Sequence, residues 1–128
     1  MSDHPDYLKM ISGEWHDTTT EIFAKLQAVA AVRKAALDAG PQDFDGRMPL
    51  TADFFSGDAA TSYVKGPFFC DYGKHVRLGR FTFINAGAVF LDSAFITFGD
   101  HCAVGPNVQF VTSEHPLKPE DRFLPAAR

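Results

Sequence analysis

The sequence predicts a mainly β protein, a solenoid of short strands preceded by a helical extension, and three observations carry that reading. The first forty residues repeat apolar side chains at helical spacing. Pro41 to Pro49 is dense in Pro, Asp and Gly. From about Gly66 onward the apolar residues recur every six positions.

The helical part is explicit in TTTEIFAKLQAVAAVRKAALDAG. Ile22, Leu26, Val29, Val32 and Ala36 fall three or four apart, which lines one face of a helix. Thr18 and Glu21 have the spacing of a capping box, and Gly40 stands where a C-cap is expected. A shorter helix is expected around Asp6 to Gly13. Pro41 to Pro49 reads as a linker or turn region, and LTADFFSG adds at most one helical turn before the chain changes character.

The solenoid signal is a period that belongs to neither helix nor ordinary strand. Leu78, Ile84, Phe90 and Ile96 recur at six, and after a two-residue slip Phe98, Val104 and Phe110 do the same. A small or polar residue follows most of them: Gly79, Asn85, Gly99 and Gly105, with Leu91 the exception. One inward aliphatic or aromatic per flat side, with a tight corner between sides, explains this spacing. Three sides of six make a coil of about 18 residues, so residues 66 to 128 supply roughly three and a half coils. An antiparallel sheet of short strands with Gly-rich turns fits the spacing as well, and the period alone leaves both open. The expected division is a helical extension over 1–57 and a partial solenoid over 58–128.

Composition bounds the function classes. At 128 residues with 45% hydrophobic content, the chain is long enough for one real core. A net charge of -4 provides no basic stripe, so neither a nucleic-acid partner nor a membrane partner is expected. The two cysteines, Cys70 and Cys102, form no CxxC, and the opening MSDHPDYLKM lacks a signal-peptide core, which points to reduced thiols and a cytoplasmic location. No apolar run approaches the length that spans a bilayer.

PFFCDYGKHVRLGRFTFINAGAVFLD, followed by ITFGDHCAVGPNVQFVTSEHPLKPEDR, resembles the maltose and galactoside O-acetyltransferases of the hexapeptide-repeat superfamily. GEWHD and the helix after it are similar to that family's N-terminal extension, so the likeness runs from about Leu8 to Arg122. The resemblance implies a left-handed parallel β-helix, an exception to the usual right-handed crossover. It also implies a homotrimer with active sites between subunits, in which an acetyl group passes from acetyl-CoA, as co-substrate, to a sugar hydroxyl. No metal is expected.

Within that resemblance His115, in the segment EHPL, matches the catalytic base. A sugar hydroxyl attacks a thioester only while its proton is being removed, and histidine, ordinarily titrating near pH 6.5, suits that task. Direct attack needs no acyl-enzyme, and the chain has no GxSxG nucleophile motif. Asp17, Asp71 and Asn85 match the acceptor-contacting positions, with Asp92 a further candidate. Some galactoside-type relatives carry a second Asp after Asp92, whereas this chain has Ser93, which bears on sugar preference. Each also has a purely structural reading: Asp17 before a helix cap, Asp71 in a turn, Asn85 at a solenoid corner, His115 in a surface loop. Trp15 either stacks on a sugar face or packs the extension onto the β-helix. Phe68, Phe69, Phe81, Phe83 and Phe90 read as core or subunit-interface residues.

Two rivals follow from the same residues. His75, His101 and His115 would suit an inter-subunit zinc site of gamma-type carbonic anhydrases, but no second histidine lies within five residues of any of them. His75 and His101 then read as exposed corner residues. The second rival is a non-catalytic trimeric structural or binding module. Members of the family continue past this point with coils that carry most CoA contacts, so the chain is expected to be a fragment of a longer protein. Weak or absent turnover is expected of the 128 residues alone.

Overall fold

The computed structural model describes residues 2 to 123 and 125 to 128. Three helices precede the solenoid: α1 (Pro5–Ser12), α2 (Glu21–Ala39) and α3 (Phe44–Phe54). Between α1 and α2 lies the short strand β1 (His16–Asp17). Nine strands follow: β2 (Ser56–Gly57), β3 (Tyr63–Val64), β4 (Phe69–Cys70), β5 (Val76–Leu78), β6 (Phe83–Ile84), β7 (Val89–Leu91), β8 (Ile96–Thr97), β9 (Ala103–Val104) and β10 (Gln109–Val111). They stack into three parallel three-stranded sheets, ordered β2-β5-β8, β3-β6-β9 and β4-β7-β10. A left-handed parallel β-helix is therefore the architecture. The chain then runs through α4 (Pro119–Arg122) to β11 (Ala126–Ala127), which pairs antiparallel with β1.

The coil is 20 residues, not 18, in every pairing but that of β2 with β5, where Ser56 faces Arg77 at 21. Val76 pairs with Ile96, Tyr63 with Phe83 and Phe69 with Val89, each 20 apart. The inward column runs Val64, Cys70, Leu78, Ile84, Phe90, Phe98, Val104 and Phe110, spaced six, eight, six, six, eight, six, six. What reads in the sequence as one slip after Ile96 is thus a regular feature. Two extra residues widen the corner between the third sheet and the first on every turn. The strands begin at Ser56 and end at Val111, so the described chain forms three rungs, and a division at 57/58 falls after the first strand.

The stretch expected to be a linker is mostly helix. Asp43 caps α3 by accepting the Gly46 N–H at 3.0 Å, and Pro49 lies inside the helix despite removing a donor there. Tertiary burial overrides the local signal. Phe54 and Phe55, both buried at the end of α3, meet edge-on at 4.9 Å between centroids, and Phe55 lies 5.5 Å from Phe68 and 6.0 Å from Phe90. Phe90 in turn stacks on Phe110 at 5.4 Å, so one aromatic column runs from the helical cap through the coils.

Arg47 bolts this cap to the solenoid. Its guanidinium is fully buried and donates to the carbonyl of Val64 (2.8 Å), the carbonyl of Leu37 (3.4 Å) and Gln42 Oε1 (3.1 Å). Only its Nη2 has no partner among the described residues. The capping box expected at Thr18 is also absent: the N-cap of α2 is Thr20, which makes no side-chain cap bond. The Thr18 N–H instead donates to the Pro125 carbonyl beside the β1–β11 pair. No helix is long and apolar enough to cross a membrane among the described residues.

Replacing Arg47 by Ala removes the side-chain donor of the Val64 carbonyl and leaves the Leu37 carbonyl with the Gly40 N–H alone. The expected cost is about 3 kcal/mol in urea unfolding. A loss under about 0.5 kcal/mol would show that the guanidinium does not join the two parts.

Candidate active site

The wide corner gathers the polar residues. Asp92 follows β7 there, fully buried, and its carboxylate accepts three backbone N–H groups from the same corner one coil below. Oδ1 accepts from Asp71 (2.9 Å) and Tyr72 (3.0 Å), and Oδ2 from Gly73 (2.7 Å). Gly73 is required there: its φ is +76°, and a Cβ would lie 2.6 Å from the Phe54 ring. Asp92, expected among the acceptor contacts, is therefore committed to the backbone by burial and by these three bonds. Through the first of them it holds the Asp71 backbone in place.

Asp71 is half-buried and lines a groove of about 240 Å³ with Gln27, Lys34 and Phe69, against α2. Burial, reinforced by the Asp92 charge, raises its carboxyl pKa above the ordinary value.

His75 corrects the expectation of an exposed corner histidine. Only 1% of it is exposed, and it reaches both the corner and the extension. Its Nδ1 lies 2.6 Å from the Asp92 carbonyl and must carry the proton, so Nε2 accepts from the Tyr7 hydroxyl at 2.9 Å. Tyr72 packs tilted against the same ring at 4.7 Å, and its hydroxyl contacts Gln27 Nε2 at 3.3 Å and Met10 Sδ at 3.6 Å. Burial pushes the Tyr72 phenol up to about 12. Tyr7 and His75 thus dock α1 on the corner, a pairing no sequence period signals.

Asp17 is exposed and makes a local turn: its Oδ1 accepts from the Thr19 backbone N–H (2.8 Å) and hydroxyl (2.7 Å). Those two bonds, backbone first, hold its pKa below the ordinary value. Asn85 sits half-buried at a different corner, after β6, where its Oδ1 accepts the Ala86 N–H at 2.8 Å. A single chain therefore brings Asp71 and Asp92 together and leaves Asn85 at a separate edge. His101 stands exposed at a third corner, stacked on Phe81 at 5.2 Å. Among the described residues no group of three His, Cys, Asp or Glu side chains stands together as a metal site would require.

His115 leaves the solenoid directly above the wide corner. The Thr112 hydroxyl donates to the Leu91 carbonyl (2.8 Å) and accepts the Ala94 N–H (2.9 Å), pinning the chain as it departs. Two residues on, Glu114 and Arg128 exchange backbone hydrogen bonds, Arg128 N–H donating to the Glu114 carbonyl at 3.0 Å and Glu114 N–H returning one to Arg128. The imidazole is exposed in a cleft of about 360 Å³, shared with Trp15, Glu114, Lys118, Asp121 and Arg128. Glu114 and Arg128, which shape this cleft, carry no motif and become visible only in the fold.

A buried carboxylate corner, a strapped loop and an exposed imidazole thus stand together on one end of a left-handed parallel β-helix. No protein-family model matches the chain. It is 35% identical over 115 residues to nodulation protein L of Rhizobium leguminosarum bv. viciae, covering 89% of this chain and 60% of that protein. Among solved structures it is similar to a hexapeptide-repeat acetyltransferase of Vibrio cholerae, solved in complex with acetyl coenzyme A. That likeness is 34% identical with a TM-score of 0.75, over 93% of this chain and 64% of the other. A maltose O-acetyltransferase from Clostridium difficile shares the fold at TM-score 0.88 and 24% identity, over 98% of this chain and 68% of the other. The chain spans about 60% of the length of the first of these relatives. Acetyltransferases recur among the proteins it is similar to, a galactoside O-acetyltransferase of Lactococcus lactis at 31% identity over 59% of this chain among them.

Burial lowers the His75 pKa below that of a free histidine. Between the two values the unfolded chain binds a proton that the folded one refuses, so stability falls as pH drops below about 6.5. The melting temperature is expected to fall from about pH 7 to pH 5.5 in the parent and less steeply in His75→Gln. Equal slopes would remove His75 as the titrating group. Replacing Asp92 by Ala strands three corner N–H groups, with an expected loss of about 3 kcal/mol or more in the same melts.

Proposed function

We propose that this chain is the acceptor-binding and base-bearing part of an acetyl-CoA-dependent O-acetyltransferase that acts on a sugar hydroxyl. The observation that carries the reading is His115, exposed in a polar cleft and strapped on both sides, by Thr112 below and by the Glu114–Arg128 pair beside it. A general base needs this combination of access and fixed position.

In the reaction His115 takes the proton of the acceptor hydroxyl as its oxygen attacks the thioester carbonyl. The new C–O bond forms, the C–S bond breaks, and the proton on His115 passes to the departing CoA sulfur. Acetyl-CoA as donor is supported by the Vibrio cholerae relative, which holds it. Asp17, Asp71 and Asn85 are the proposed acceptor contacts. Their carboxylates and amide suit hydroxyl recognition because they accept or donate in defined directions. Asn85 lies at another corner from His115, which supports a site completed between subunits of a homotrimer. Exposed Phe69 and Val111 on the outer face of the third sheet supply apolar surface for such contacts. We place the enzyme in the cytoplasm, in keeping with two free cysteines and no disulfide among the described residues.

CoA release with maltose, glucose and galactosides tests this reading. His115→Ala is expected to lower kcat by about 10² to 10⁴. A rate unaffected by that substitution would show that another group removes the proton.

A further inference from the structure

We propose that the cavity between α1, α2 and the wide corner binds a small carboxylate with an aromatic body, held by Arg33 and Lys74 at its mouth. The site stands apart from His115 and needs no transfer reaction.

The cavity measures about 240 Å³. Its buried lining is ring and methyl: Tyr7 from α1, Ala30 from α2, and Tyr72 and His75 from the corner. The Tyr7 hydroxyl and His75 Nε2 bond each other at 2.9 Å, so the floor presents rings rather than polar atoms. Leu26 and Val29 carry this apolar wall along α2 toward solvent, Val29 with 58% of its surface exposed. A dry cavity of about 150 Å³ takes a benzene ring, so there is room for a ring and a carboxylate.

The charged lining is wholly basic. Arg33 and Lys74 are both anchored from behind by the C-terminal end of α3. Arg33 Nη2 donates to the carbonyls of Asp53 (3.2 Å) and Phe54 (2.5 Å), and its guanidinium lies 4.8 Å from the Phe54 ring centroid. Lys74 Nζ donates to the carbonyls of Asp53 (2.5 Å) and Phe55 (3.1 Å). Arg33 thus keeps Nε and Nη1, and Lys74 one N–H, without an acceptor among the described residues, and neither forms an ion pair there. Burial lowers the Lys74 pKa, the Arg33 charge adds to that, and Asp53 offsets part of it. An anion beside the two cations relieves their repulsion.

In a chain of net charge -4, two fixed cations over a wall of rings select a ligand that carries both features. A bare anion leaves the rings uncovered, and a neutral aromatic leaves the cations unmet.

Benzoate titrated into the purified protein, with neither acetyl-CoA nor sugar present, is expected to bind saturably by calorimetry. Nuclear Overhauser effects should connect its ring to the Leu26 and Val29 methyl groups. Acetate, with the charge and no ring, and benzyl alcohol, with the ring and no charge, should each bind about tenfold more weakly or worse. Val29→Asp puts a carboxylate one helical turn before Arg33, where it competes for the guanidinium, and should weaken benzoate about tenfold. Because Val29 is exposed, the melting temperature of that variant without ligand should stay within about 2 °C of the parent. Lys74→Gln should weaken benzoate and leave benzyl alcohol unchanged; equal weakening of both would mean that Lys74 only props the end of α3, and the proposal fails. It is equally overturned by the absence of saturable binding, by acetate or benzyl alcohol binding as tightly as benzoate, or by a Val29→Asp variant that binds benzoate like the parent.

Discussion

The carboxylate of Asp92 organises the corner on which the site is built. Three backbone N–H groups in succession, from Asp71 to Gly73, point at one buried anion, while the Asp92 carbonyl receives the His75 ring. A buried carboxylate is tolerable only when its lone pairs are met, and a run of three N–H groups meets them. The same arrangement ties one coil to the next at the place where the strand ladders are interrupted. Without it the two extra residues of the wide corner would be loop with unpaired backbone groups.

From that corner the structure extends in two directions. Toward the N-terminal helices, His75 passes the constraint to Tyr7, and Tyr72 packs against Met10, so α1 rests on the solenoid through polar and aromatic contacts together. Toward the cleft, Thr112 fastens the departing chain to Leu91 and Ala94, directly over Asp92. The loop bearing His115 is then closed from the far side by Arg128, whose strand runs against β1. Residues from positions 15 and 128 therefore meet around position 115, and the helical extension contributes a wall of the cleft as well as a cap on the core.

Much of the site was legible because motif and repeat coincide. His115 stands out through EHPL at the end of a hexapeptide side, and Asp71 through the CDYG turn. Asp92 was legible only as a polar residue near a slip in the period. Burial makes it a backbone anchor, and burial of a carboxylate depends on which N–H groups three-dimensional stacking brings to it. His75 misled for the same reason: a lone histidine after Gly-Lys reads as exposed, and its partners are 68 residues away at Tyr7 and 17 away at Asp92. The contacts of Arg128 with Glu114 and Trp15 left no local trace, since they join positions far apart in the chain through one antiparallel pair.

By itself the sequence determined a helical preface followed by short strands with one inward side chain every six residues. That period left a solenoid and an antiparallel sheet both open until the motifs' resemblance pointed to the β-helix. The motif EHPL likewise singled out His115, the residue proposed as the base. Tertiary structure alone decided the 20-residue coil, the helix through Pro49, and which carboxylates are anchors and which face solvent. These depend on stacking between coils and on burial of Phe54, Phe55 and Arg47 against them. Such energies arise from contacts distant in sequence and outweigh local propensity where the two conflict.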